Sequence, residues 1–369
     1  MSLQRPPLWQ IIKPHLAVFD ASLSLIIFLI VAVGIVTLYS AGINFPGRVE
    51  DQLRNILIAF VVLWIAANLS PQTLLRFAVP IYTIGVTLLI AVALFGIVKK
   101  GSRRWLNIGV VVQPSEVMKI AMPLMLAWYF QKRESVMRWH VFVVATLLLA
   151  VPVGLIIRQP DLGTGLLVLA AGFFVIFFAG LSWKVLTALF VAGAASLPVI
   201  WSVMHDYQRQ RVMMLIDPTS DPLGKGFHII QSTIAIGSGG ITGKGWLMGT
   251  QTHLEFIPER TTDFIFSVYS EEFGLIGNLI LVALYLLLIA RSMMITANAP
   301  TLFTRLLGGS ITMMFFTYAF VNMGMVSGII PVVGVPLPFM SYGGTALVTL
   351  GLAAGILMSI QRHRKLVQT

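Results

Sequence analysis

The chain has 369 residues, 57% hydrophobic and 11% charged, and a mean hydropathy of +0.89. A soluble domain carries about a quarter charged residues, so this composition excludes a water-soluble fold and points to a polytopic membrane protein. The absence of cysteine excludes disulfides, thiolate metal sites and thiol nucleophiles. The net charge of +11 is assigned to span ends meeting acidic headgroups, or to an anionic lipid substrate, and not to nucleic acid.

A helix needs about 20 mostly apolar residues to cross a bilayer. The candidates, in chain order, are Leu23–Ala41, Ile56–Leu69, Leu74–Val98, Glu116–Phe130, Val141–Ile157, Leu162–Leu181, Val185–Val203, Phe264–Ala290, Leu306–Val326 and Tyr342–Ile360. The first is too long for a signal-peptide core and reads as an uncleaved anchor. The second and fourth are short and begin in flanking polar turns, Asp51-Gln52-Leu53-Arg54 and Gln113-Pro114-Ser115. The expected fold is an all-α polytopic membrane protein, a single integral domain over 1–369, with about ten transmembrane helices. A large extracytoplasmic loop, 204–262, separates helices 7 and 8. Lysine and arginine divide 12 to 12 between the two sides, but 12 to 7 once the long loop is set aside. The positive-inside rule weights short loops, which places both termini in the cytoplasm and the long loop outside.

Ionisable residues within spans are costly and usually functional. Glu116 and Lys119 stand at i and i+3 on one face of the fourth span, as a packing ion pair or as the lining of a polar cavity. The loop before them, Lys99 to Trp105, holds four cations and an interfacial tryptophan. It either anchors to headgroups or captures a pyrophosphate, with Trp105 packing on a sugar or lipid tail. The long loop contains Tyr207-Gln208-Arg209-Gln210-Arg211, an amphipathic stretch from His228 to Ile236, and a glycine-rich run, Gly237 to Trp246. That run lacks phosphate-loop spacing, with Ser238 and Gly245 at the deciding positions, and reads as tight turns. At the loop's far end Thr262 and Asp263 stand where a helix N-cap is expected. A carboxylate at the membrane rim, across from two arginines, also suits a general base. Glu271-Glu272, two turns further on, should face the protein interior.

Several motifs in order resemble the SEDS family (shape, elongation, division and sporulation), which includes RodA, FtsW and SpoVE proteins. They are Gln113-Pro114-Ser115-Glu116 with Lys119, Gln159-Pro160-Asp161-Leu162-Gly163-Thr164, Tyr207 to Arg211, Pro258 to Phe264, and Pro331 to Pro338 leading to Ser341-Tyr342-Gly343-Gly344. Gly243-Lys244-Gly245-Trp246 and Arg260 look more like the RodA branch. The resemblance implies a peptidoglycan glycosyltransferase of cell elongation and rod-shape maintenance in the bacterial inner membrane. Its substrate would be lipid II, a disaccharide-pentapeptide on undecaprenyl pyrophosphate, polymerised at the outer face. Its partners would be a class B penicillin-binding protein and other elongation-complex membrane proteins. The family's essential acid falls on Asp263 and its cavity pair on Glu116 and Lys119.

An inverting displacement at a sugar pyrophosphate needs one base near the acceptor 4-hydroxyl, for which Asp263 is the candidate. It also needs positive charge on the departing pyrophosphate. Arg209 and Arg211 suit that task, with Lys119 and Arg104 as further candidates. Trp105 and Asp161 complete the substrate-binding set. A divalent cation, Mg or Mn, could share the charge, although no carboxylate cluster marks a metal site. Two other readings fit the same features: a lipid II flippase, and a scaffold of the elongation complex without activity of its own.

Overall fold

The computed structural model describes residues 18–99, 102–107, 111–159, 161–204, 206, 209, 210, 212, 213, 217, 225–254, 256, 257 and 259–364. Seven helices come first: α1 (Ala21–Ala41), α2 (Arg48–Asn68), α3 (Pro71–Phe95), α4 (Pro114–Gln131), α5 (Trp139–Arg158), α6 (Leu162–Phe178) and α7 (Trp183–Val203). The long connection holds α8 (Lys225–Ser238) and α9 (Thr250–His253), and α10 (Ile265–Ala297), α11 (Leu302–Val326) and α12 (Gly344–His363) complete the bundle. Each of the ten expected spans coincides with a helix. Seven are long and apolar enough to cross a membrane, and α6 is apolar but shorter. The remaining two, α2 and α4, are the spans that start in polar turns, at Arg48 and Pro114.

Local chemistry sets these boundaries. Asp20 caps α1 through the Leu23 amide, Ser70 caps α3 with Pro71 at its first position, and Thr301 and Thr304 form a reciprocal capping box at α11. The third span ends three residues earlier than expected, at Phe95. Beyond it Ile97–Lys99 (β1), Ser102–Asn107 (β2) and Val111–Val112 (β3) pair antiparallel in the order β1-β2-β3. The all-α expectation therefore holds for the bundle, while the basic loop adds a small sheet. Its β-branched and aromatic residues, Ile97, Val98 and Trp105, favour that pairing.

Backbone contact through glycine binds α12 to α2. A Cβ on Gly351 or Gly355 would stand 2.6 Å and 2.3 Å from the carbonyl oxygens of Ala59 and Leu63. Small residues permit this approach in membrane bundles. α7 differs from every other long helix, because none of its residues is buried.

The glycine-rich run does form turns, but their role is specific. α10 is broken at Gly274 (φ 62°, ψ −159°), a conformation that glycine alone adopts readily. The run fills the break. Lys244 and Gly245 donate their amides to the Glu271 and Glu272 carbonyls, while Leu275 and Ile276 donate theirs to Gly240 and Ile241. Loop backbone thus takes the place of the missing helical partners. A Cβ at Gly243 would lie 2.1 Å from the Glu272 carbonyl oxygen, so no larger residue fits there.

Candidate functional site

Asp263 sits at one end of the bundle, on a short rim between the long connection and α10. The N-cap of α10 is Phe264, without a side-chain cap, so Asp263 is not spent as the helix cap. Its backbone is held from two sides. Asn322 of α11 donates to the Asp263 carbonyl at 2.8 Å and to the Val335 carbonyl at 2.7 Å. The Ser341 hydroxyl donates to the Thr262 carbonyl at 2.6 Å, and the Tyr342 amide to the Thr261 carbonyl at 2.9 Å. Gln52 of α2 in turn donates to the Ser341 carbonyl at 3.2 Å and accepts from the Gly343 amide at 3.4 Å. Glu259 and Phe339, on either strand of this rim, have positive φ angles of 48° and 60°. For residues with side chains that conformation costs about 1–3 kcal/mol each, which the surrounding bonds must sustain.

Gly334 (φ 72°) lies against the Asp263 carboxylate. A Cβ there would be 3.3 Å from Oδ2. Gly163, in the first turn of α6, packs on the same segment, where a Cβ would meet the Val333 carbonyl oxygen at 2.6 Å. The proline-rich segment 331–338 is thereby clamped between Asp263 and the start of α6.

The start of α6 carries the second part of the site. Asp161 caps that helix through the Thr164 amide at 3.2 Å, accepts from Gln113 Nε2 at 3.0 Å, and lies 3.7 Å from Arg104 of β2. One turn into α4, Lys119 donates to Glu116 Oε1 at 2.6 Å and to the Tyr318 hydroxyl at 2.7 Å. Lys119 is 2% exposed and Tyr318 is fully buried. Thr349 of α12 adds a 3.4 Å bond to the other Glu116 oxygen. Tyr318 and Asn322 stand four residues apart on α11, hence on one face. That face joins the Lys119 pair to the Asp263 backbone.

The sequence-derived residues divide accordingly. Glu116, Lys119, Asp161, Arg104 and Asp263 belong to one connected group. Trp105 is half-buried on β2, paired opposite Ile97. Arg209 goes elsewhere: its guanidinium donates to the Trp201 and Ser202 carbonyls at 3.0 and 2.8 Å, closing the end of α7. Arg211 lies outside the described residues. Glu271 and Glu272 face the interior as expected, 0% and 1% exposed. Glu271 accepts from Lys244, Thr250, Gln251 and Thr252, and Glu272 from Leu247 and Ser40. They secure the loop. Tyr318 and Asn322 escaped the sequence reading, which met Gln52 only as part of a polar turn and Gly334 only within the Pro331 to Pro338 motif. The first two are polar side chains within an apolar helix, a signal of the kind that singled out Lys119.

Among the described residues no group of three or more His, Asp or Glu side chains converges. The assembled groups are instead one rim carboxylate and, in the same connected group, a buried ammonium paired with Glu116 and a guanidinium 3.7 Å from Asp161. Such a set can accept a proton at one point and neutralise a polyanion at another.

The chain is similar to known proteins along nearly its whole length. A family model described as cell cycle protein (FTSW_RODA_SPOVE) matches residues 20–366. The chain is 49% identical over 357 residues to the peptidoglycan glycosyltransferase MrdB of Escherichia coli K12, covering 96% of each chain. It is 32% identical to the peptidoglycan glycosyltransferase RodA of Treponema pallidum, covering 94% of this chain and 98% of that one. Among solved structures, one chain of a peptidoglycan synthase complex that coordinates polymerization and crosslinking superposes with a TM-score of 0.82. That chain is 34% identical, over 95% of this chain and 99% of its own length. The rod shape determining protein RodA of Thermus thermophilus gives 0.71 at 29% identity, over 94% and 97%.

Proposed function

The chain belongs to the FtsW/RodA/SpoVE family of cell cycle proteins, and we propose that it is the peptidoglycan glycosyltransferase that polymerises lipid II during cell elongation. The acceptor's sugar 4-hydroxyl attacks the anomeric carbon of the donor, and the bond from that carbon to the pyrophosphate oxygen breaks with inversion. Asp263 takes the hydroxyl proton. Undecaprenyl pyrophosphate leaves with its electron pair, its charge met by Lys119 and Arg104. No second carboxylic acid is required, since pyrophosphate leaves without protonation, unlike the alcohol expelled in glycosidases.

The observation that carries this reading is the treatment of Asp263. Its backbone is held by Asn322, the two residues before it by Ser341 and Tyr342, and its carboxylate is given room by a glycine at positive φ. A loop that only connected two spans would need none of this. The charge balance of the short loops supports cytoplasmic termini in the bacterial inner membrane, which puts the Asp263 end on the outer face. Crosslinking of the product then falls to a class B penicillin-binding protein partner, working beside other elongation-complex membrane proteins.

The test uses purified protein with its transpeptidase partner and lipid II. Asp263→Asn abolishes glycan strands while leaving partner co-purification intact; polymerisation at the wild-type rate would remove Asp263 as the base. The flippase reading draws on the buried Lys119–Glu116 pair. Translocation of labelled lipid II across proteoliposomes that survives Asp263→Asn and is lost in Lys119→Ala would establish it instead.

A further inference from the structure

One cation at the Asp263 end takes no part in the scheme above. Arg48, the first residue of α2, is half-buried between two aromatic rings. Its guanidinium carbon lies 4.5 Å from the Tyr342 ring centre and 5.1 Å from that of Phe45. Contact through ring faces fixes the guanidinium plane and leaves its N–H groups unspent. Among the described residues none of them meets a carboxylate or a carbonyl. The nearby Asp51 pairs with Arg54 instead. Arg260 makes a useful contrast. It lies equally close to Phe45, at 5.1 Å, but is 4% exposed and donates Nε to the Ala41 carbonyl.

Arg48 is also fixed relative to Asp263. One turn along α2, Gln52 grips Ser341 and Gly343, and the segment between them bonds the Thr261 and Thr262 carbonyls. The clamp ring Tyr342 belongs to that same segment. Arg48 opens the polar first turns of α2, about 12 Å of helix before the apolar run that starts at Ile56, and so lies on the headgroup side of that run, where an isoprenoid tail anchors a lipid's phosphates.

We propose that Arg48 is a phosphate-binding residue of the transfer site, its two parallel N–H groups gripping oxygens of the lipid-linked pyrophosphate. This deepens the glycosyltransferase reading and rests on it for the identity of the ligand. A planar fork held by two rings is preorganised for phosphate, whereas lysine offers a mobile point charge.

The experiment compares full-length wild-type protein with Arg48→Gln, Arg48→Lys and Phe45→Ala in nanodiscs of phosphatidylcholine or phosphatidylglycerol. Binding of undecaprenyl pyrophosphate and the KM and kcat for lipid II are measured. Arg48→Gln weakens pyrophosphate binding and raises KM by about tenfold or more, with kcat and thermal unfolding close to wild type. Arg48→Lys falls between, and Phe45→Ala, which frees one face of the clamp, loses less than Arg48→Gln. Wild-type binding and KM in Arg48→Gln would overturn the proposal. So would a loss confined to phosphatidylglycerol discs, which would mark Arg48 as an anchor for bulk headgroups. Arg48-dependent binding in a protein that makes no glycan would uphold the phosphate site while removing the polymerase reading.

Discussion

Glu271 and Lys119 are both ionisable, both within the bundle and both almost fully buried, yet they are satisfied to very different degrees. Five donors converge on the Glu271 carboxylate: Lys244 Nζ, the hydroxyls of Thr250 and Thr252, and the amides of Gln251 and Thr252. Lys119 meets one carboxylate and one phenol. A buried charge whose bonding capacity is filled by its own chain has little left for a ligand; it holds structure. A buried ammonium with three N–H groups and two described partners retains one for an incoming anion. Satisfaction, more than burial, separates the structural acid from the cation proposed to meet the substrate.

Matched neutralisations test that distinction most severely. Replacing Lys244 and Glu271 together, Lys244→Met with Glu271→Gln, leaves several loop donors short of an acceptor. At about 1–3 kcal/mol for each unsatisfied group, the protein should fail to accumulate or unfold far below wild type in detergent. Replacing Lys119 and Glu116 together, Lys119→Met with Glu116→Gln, strands no charge. That protein should fold and bind its partner, with glycan synthesis down by about 10²-fold. If the second double variant were as unstable as the first, the contrast between the two sites would be void.

Gly334→Ala sharpens the same contrast at the rim. The φ of 72° and the 3.3 Å approach to Asp263 mean that a methyl group strains the backbone by about 1–2 kcal/mol and displaces the carboxylate. kcat should fall several-fold with KM unchanged, and an unaltered kcat would show that Gly334 serves folding alone. The smallest expected effect is one of pH. His228 of α8 stacks on Phe264, ring centres 6.1 Å apart. Burial lowers its pKa below the ordinary 6.5, with the Glu259 charge opposing. The folded state therefore holds the neutral ring, and this contribution is full above about pH 6.5 and declines as pH falls through the lowered value. His228→Gln should flatten the dependence of the unfolding midpoint on pH between 7.5 and 5.5; an unchanged slope would assign the acid sensitivity to another group.

The ten helices were legible from the apolar runs because the bilayer sets a length that few other folds require. The two short runs also showed where their helices begin, since polar turns such as Asp51 to Arg54 can continue a helix out of the membrane. Lys119 and Glu116 could be picked out as charges within an apolar span and Asp263 as a carboxylate at the membrane rim, while Asp161 entered only through its motif. Their mutual placement could not, because it depends on α11, whose Tyr318 and Asn322 reach the two halves of the site from one face. Arg209 shows the opposite limit. Its chemistry suits pyrophosphate, but local carbonyls at the end of α7 compete for the same donors, and only three-dimensional structure shows which partner it has. The glycine run was read correctly as turns, yet its docking into a broken helix is a long-range fact carried by backbone atoms, which side-chain patterns do not report.

That break has a mechanical consequence. An intact α10 would act as a stiff lever, 33 residues long, from the Asp20–Arg291 ion pair at one end to the turn that follows Asp263 at the other. The splice at Gly274 divides the lever into two arms joined by four loop-to-helix hydrogen bonds. The bonds that hold the shorter arm to the loop are therefore separate from the ion pair that holds the longer arm to α1. The segment 265–273, which leads away from Asp263, is thus anchored to the loop backbone independently of the Arg291 end.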